Sequence, residues 1–135
     1  MLPLPVTICL TALFALMLTA LSLYVSLRRL ELRLAHGDGD DLVLRRRIRA
    51  HGNFIENAPM CILLVLALEA VLATSTTIWL VALILFVARA LHAIGTLARS
   101  MRSLVAPAVL MQHLTFVVVG VWLLIQTLSN QIGSM

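Results

Sequence analysis

From Leu4 to Leu27 the chain carries no charged side chain at all. Two further apolar runs, 57–88 and 103–135, hold one formal charge between them, Glu69. A helix that crosses the hydrocarbon core of a bilayer needs roughly 20 such residues. Soluble domains are near 45–50% apolar and about 25% charged, whereas this chain is 61% hydrophobic and 12% charged. An ordinary soluble fold, a disordered chain and a disulfide-rich secreted module are therefore excluded. Four spans would use about 80 residues of the 135. The remainder suffices only for short connections, so any site must be built from the helices themselves.

The first run is too long for a signal-peptide core of about 7–15 residues and no basic residue precedes it, so it reads as a retained span. The run 57–88 is too long for one span and breaks at the polar segment Ala73-Thr-Ser-Thr-Thr77. The expected helices are 4–27, 42–72, 78–98 and 104–128, within one domain over 1–135. The turn His36-Gly-Asp-Gly-Asp-Asp41 precedes the second helix, and Asp40 or Asp41 is placed to cap it. At 1.5 Å per residue that helix is roughly 46 Å long, so its first turns must leave the hydrocarbon. Pro59 removes one backbone donor inside it and is expected to kink it. Trp122 suits the membrane interface near the far end of the fourth helix.

All ten cations are arginine. Arg28, Arg29, Arg33, Arg45, Arg46, Arg47 and Arg49 crowd the first connection, and Arg99 and Arg102 occupy the third. The second connection and both ends have none. The positive-inside rule then makes the first and third connections cytoplasmic and the termini external. The basic charge lies in short loops without interleaved aromatics, so nucleic acid is not an expected partner. Cys9 and Cys61 sit in apolar runs without metal or disulfide spacing, and no metal site is expected from these or from His36, His51 and His92.

Several polar residues remain that composition does not explain. Arg45, Arg49, Asn53, Glu56 and Met60 fall within about 80° of the second helix, flanked by Gly52. Solvation at a snorkelling helix end accounts for the arginines but not for Asn53 and Glu56 on the same face. Arg89 lies some 16 Å inside the third helix, and an intramembrane arginine faces the bundle interior and pairs. Glu56 is the available anion, with His92 one turn away. Glu69, near the outer end of the second helix, reads as interfacial, and His113, beside Gln112, as a hydrogen-bonding group between helices. The ends of the first three helices thus gather many donors and one carboxylate. Arginine takes carboxylates bidentately and Glu56 suits an ammonium, which points to an amphiphilic, peptide-like or amino-acid-like anion at the inner face.

RAHGNFIENAP, followed about 35 residues later by ARALHAIG, in a chain with four spans, resembles the MAPEG family of membrane-associated proteins in eicosanoid and glutathione metabolism. The family includes microsomal glutathione transferases and the prostaglandin E synthase, and the GDG turn makes the chain similar to the small bacterial branch. The resemblance implies an all-α four-helix membrane bundle, a homotrimer in the bilayer of a bacterial inner membrane, and glutathione bound between subunits near the cytoplasmic side. By motif match, Arg49, Asn53, Glu56, Arg89 and His92 become ligand-binding positions, with Arg28 or Arg29 matching an arginine that ends the first helix. Arg102 and Ser103 resemble the Arg-Ser pair near the glutathione thiol, across a connection three residues shorter. Two positions depart from the synthase. Thr96 replaces a tyrosine that packs on the ligand, and Gly52 replaces an arginine.

The implied activity is conjugation of glutathione to a hydrophobic electrophile, or peroxide reduction, through a thiolate stabilised by Arg102 and Ser103. The alternative from the same fold is a non-catalytic trimeric membrane binder or scaffold. A small transporter is disfavoured, because the first helix offers no charged pore residue.

Overall fold

The computed structural model describes residues 3–132. The expected domain, 1–135, extends at both ends beyond them. Four helices long and apolar enough to cross a membrane follow one another: α1 (Pro5–Glu31), α2 (Leu42–Leu72), α3 (Thr76–Leu97) and α4 (Val105–Ile132). A 3-10 segment, Arg99–Leu104, leads into α4. No strand occurs among the described residues. Backbone groups in hydrocarbon must be satisfied within their own segment, and this all-helical solution does so. The protein is an integral, multi-pass, all-α membrane protein.

Successive helices pack against each other in sequence order, α1 on α2, α2 on α3 and α3 on α4. The α1–α3 and α2–α4 diagonals also touch, whereas α1 and α4 do not among the described residues. Short connections alternate the helix directions, so the end of α1, the start of α2, the end of α3 and the start of α4 lie at one end. The core threads through Leu10, Phe14, Phe54, Cys61, Val65 and Leu85, all nearly inaccessible. Phe14 sets an edge-to-face contact with Phe54 at 5.3 Å and stacks with Phe86 at 6.2 Å.

Local chemistry sets the boundaries. Asp41 is the cap residue of α2, its carboxylate accepting from the Leu44 N–H at 2.6 Å. Two residues of positive φ, Gly37 and Gly39, supply the turn before it, together with Asp40. The helix runs through Pro59 without ending. Between α2 and α3 only Ala73, Thr74 and Ser75 are non-helical, which puts the start of α3 two residues earlier than Ile78. Trp122 packs against the core.

At the α3–α4 corner a Cβ on Gly95 would lie 2.9 Å from Val105 Cγ2 and 3.0 Å from the Met101 carbonyl. The corner closes only over a hydrogen. Gly95→Ala is expected to lower the unfolding free energy by about 1–3 kcal/mol, measured by denaturation in detergent. Wild-type stability in that variant would mean the corner opens freely.

Glu69 departs from the interfacial role read from sequence. It is 3% exposed and caps α1 from α2. Its oxygens accept from the Val6 N–H at 3.0 Å, the Thr7 N–H and hydroxyl both at 2.8 Å, and the Thr74 hydroxyl at 2.8 Å. The first N–H groups of any helix lack intrahelical partners, and in a membrane water does not replace them. A carboxylate from the neighbouring helix does so here, with the favourable sign for a helix N-terminus.

Candidate functional site

Arg89 is the largest side chain in the interior, 2% exposed. From α3 it donates one Nη to the Gln112 side-chain oxygen on α4 and the other to the Asn53 side-chain oxygen on α2. Gln112, fully buried, donates in turn to Asn57 Oδ1 at 2.7 Å, and Asn57 Nδ2 donates to the Asn53 carbonyl at 2.9 Å. Three helices are thereby joined by amides around one guanidinium.

The expected Arg89–Glu56 pair does not form. Glu56 is exposed and makes no ion pair among the described residues. The reason is angular, since Glu56 stands about 60° around α2 from Asn53, and Asn53 and Gln112 occupy the guanidinium first. His113 also departs from its expected role. It is exposed on α4 and bonds through Nδ1 to the Val109 carbonyl of its own helix at 2.8 Å, while its neighbour Gln112 makes the interhelical bonds.

The α2 stripe points away from the protomer. Arg49, Glu56 and Met60 are exposed and Asn53 is half-buried. His92 is buried behind it with Nδ1 unpartnered, and its carbonyl accepts from the Thr96 hydroxyl at 2.8 Å. The Thr96 side chain is therefore turned back on its own helix.

Arg28 and Arg29, equivalent by sequence, diverge. Arg28 makes a two-point contact with Asp41, at 3.2 and 2.8 Å, and a third bond to Glu31 at 2.8 Å. Arg29 instead lines a cleft of about 330 Å³ between α1 and α2 with Ser22, Ser26 and His51. A second cleft of about 400 Å³ adjoins it, sharing Ser22 and His51 and extending along Leu18 and Ile55. His51 lies about 160° from Arg49 around α2, so cleft and stripe occupy opposite sides of that helix. Arg45 is drawn into the preceding turn by Asp38 at 2.7 Å and Asp40 at 3.3 Å. Arg102 and Ser103 lie at the same end of the bundle, exposed on the 3-10 segment, and their side chains make no hydrogen bond or ion pair among the described residues.

The connecting turn has its own electrostatics. The Arg28 guanidinium, then the Leu44 N–H, hold the Asp41 carboxyl down to about 2, and Arg45 with the Asp40 N–H lowers Asp38. A carboxyl depressed by folding stabilises the fold above its unfolded value and loses that contribution as pH falls through the folded one. Unfolding midpoints should thus drop between about pH 4 and pH 2. Asp41→Asn keeps a cap acceptor and should flatten that drop. An unchanged pH profile in the variant would assign the acid sensitivity elsewhere.

Sequence reading missed Asn57 and the Arg29–His51 cleft, and noticed Gln112 only beside His113. The available signal was the i, i+4 repeat Asn53–Asn57 where α2 enters its apolar stretch, since amide side chains in membrane helices hydrogen-bond across interfaces. No sequence signal revealed the cleft, because it depends on how α1 leans on α2.

The MAPEG family model matches residues 6–127. Among curated proteins, the chain is 35% identical over 81 residues to inner membrane protein YecN of Escherichia coli K12. The same protein of Escherichia coli O6:H1 strain CFT073 matches equally. Each alignment covers 60% of this chain and 62% of the relative, so a little over a third of YecN lies outside it. No solved structure matches. Four spans, the Arg-Asn-Glu stripe, the buried arginine of α3 and a family match over nearly the whole length agree: the chain belongs to the MAPEG family.

Proposed function

We propose that the protein binds glutathione at the arginine-rich end of the bundle and uses it as a co-substrate, by conjugation to a hydrophobic electrophile or by peroxide reduction. One observation carries this reading. Arg49, Asn53 and Glu56 form a polar stripe turned out of the protomer, with the uncompensated charge of Arg89 directly behind Asn53. Arginines suit the two carboxylates of the tripeptide, and Glu56, left without a cation, suits its ammonium.

The opposed positions of stripe and cleft favour a site shared between copies. The stripe of one protomer meets the Arg29 cleft of its neighbour, which fits a homotrimer. Arg28 is committed to Asp41 and Glu31, so Arg29 is the arginine assigned to the ligand. By the positive-inside rule, the site faces the cytoplasm of a bacterial inner membrane.

The chemistry needs thiolate, because the thiol form attacks poorly. Arg102, at the mouth of α4, supplies a positive charge beside the sulfur, and Ser103 donates a hydrogen bond to it. The hydrophobic partner arrives laterally from the bilayer. Arg102→Ala is expected to abolish a glutathione-thiolate absorbance and turnover with a generic electrophile while leaving glutathione binding largely intact. Full turnover in that variant would remove Arg102 from the mechanism.

A non-catalytic binder of the same fold is the second reading. It is favoured by the absence, among the described residues, of any hydrogen bond or ion pair tying Arg102 and Ser103 to the Arg89 cluster. Glutathione binding without thiolate signal or turnover would select it.

A further inference from the structure

The amide cluster around Arg89 has a direction. Arginine has donors only, so Gln112 and Asn53 must both turn their oxygens toward it. Gln112 is then left with its Nε2 donors, which meet Asn57 Oδ1. Asn57 is left with Nδ2, which meets the Asn53 carbonyl. Asn53 is left with Nδ2, which has no partner among the described residues and belongs to the half-buried side chain of the exposed stripe. None of the three side-chain amides is free to flip without setting donor against donor or acceptor against acceptor.

A second feature sharpens this. The guanidinium sits among neutral oxygens, and the anion within reach by sequence, Glu56, is not used. Coulombic neutralisation would have been the stronger local bond. The charge is left instead to act on whatever occupies the stripe.

We infer that Gln112 and Asn57 are positioning residues: they fix Arg89 and Asn53 so that the stripe presents an amide donor backed by an uncompensated positive charge. The pocket wall they create accepts an oxygen anion, such as a ligand carboxylate, and rejects a donor at that point. Neither residue reaches the ligand. The affinity measurement below rests on the glutathione reading, whereas the exchange measurement does not.

Gln112→Glu is the discriminating variant. It keeps an acceptor for Arg89 and so keeps α4 tethered, but it neutralises the charge and cannot donate to Asn57. Glutathione affinity is expected to fall about tenfold or more while the unfolding temperature stays level or rises. A structural role alone predicts that affinity follows stability. Unchanged affinity in Gln112→Glu, with wild type binding normally, overturns the inference.

Side-chain amide exchange in the ligand-free protein tests the direction itself. The Nδ2 protons of Asn53 should exchange faster than those of Asn57 and Gln112, and Gln112→Asn, whose shorter side chain cannot span both partners, should release Asn57. Equal protection of all three amides, or an Asn57 untouched by Gln112→Asn, overturns it. Wild type that shows this exchange pattern but no glutathione binding retires the glutathione reading and leaves the relay standing.

Discussion

Replacing Glu69 by leucine is expected to lower the unfolding free energy by about 3 kcal/mol or more, which would make it one of the most damaging single changes in the chain. The carboxylate meets two backbone N–H groups and the Thr7 hydroxyl at the start of α1, and the Thr74 hydroxyl in the α2–α3 connection. Each donor abandoned in a dry site costs about 1–3 kcal/mol. Because α1 touches α2 and α3 but not α4, it has few other anchors. Its opposite end is held by Arg28 on Asp41 and by Arg47, which donates to the Tyr24 carbonyl at 2.8 Å and covers its ring at 4.4 Å. Losing the outer clamp should therefore free the outer half of α1 selectively. Backbone hydrogen exchange should rise at Val6 and Leu10 before it rises at Val25. Gln should rescue only part of the loss, since its amide group sets donor against donor. Wild-type stability in Glu69→Leu would show that the helix end finds other partners.

Arg89→Met is expected to separate stability from binding. The substitution leaves the Gln112 and Asn53 oxygens without their donor, which costs, and removes a buried charge without a counter-ion, which gains. These terms oppose, so the unfolding free energy should change by less than about 2 kcal/mol in either direction. The stabilisation by glutathione, roughly 2.7 kcal/mol at 100 times its dissociation constant, should vanish. A variant that unfolds on purification would make Arg89 a packing residue first. A variant that still responds to glutathione would take Arg89 out of the site.

The helices were legible because hydrocarbon permits few alternatives. Uncharged runs of the right length must be helices, and Asp41 and the break at 73–77 announce themselves by residue type. The stripe Arg49–Asn53–Glu56 was legible from spacing alone. Partner identities were less so. A pattern on one helix places a residue on a face, but which neighbour meets that face depends on the helix rotation, and about 60° separated Glu56 from the position that met Arg89. Glu69 was misread for a related reason. Hydropathy places a carboxylate near a helix end at the interface, and nothing local to residue 69 indicates that the α1 N-terminus, 62 residues away, arrives on top of it. Gln112 and His113 are adjacent and both polar, and only the docking of α4 decides which one faces inward.

The assignment of the stripe to glutathione is tested most directly by thermal unfolding of the detergent-purified protein with and without glutathione, repeated on Glu56→Gln. The Glu56 side chain is exposed and makes no hydrogen bond or ion pair among the described residues, so the variant should unfold at the wild-type temperature when ligand is absent. Wild type should gain stability as glutathione rises, and Glu56→Gln should not. No gain in the wild type at millimolar glutathione, or an equal gain in the variant, would contradict the assignment.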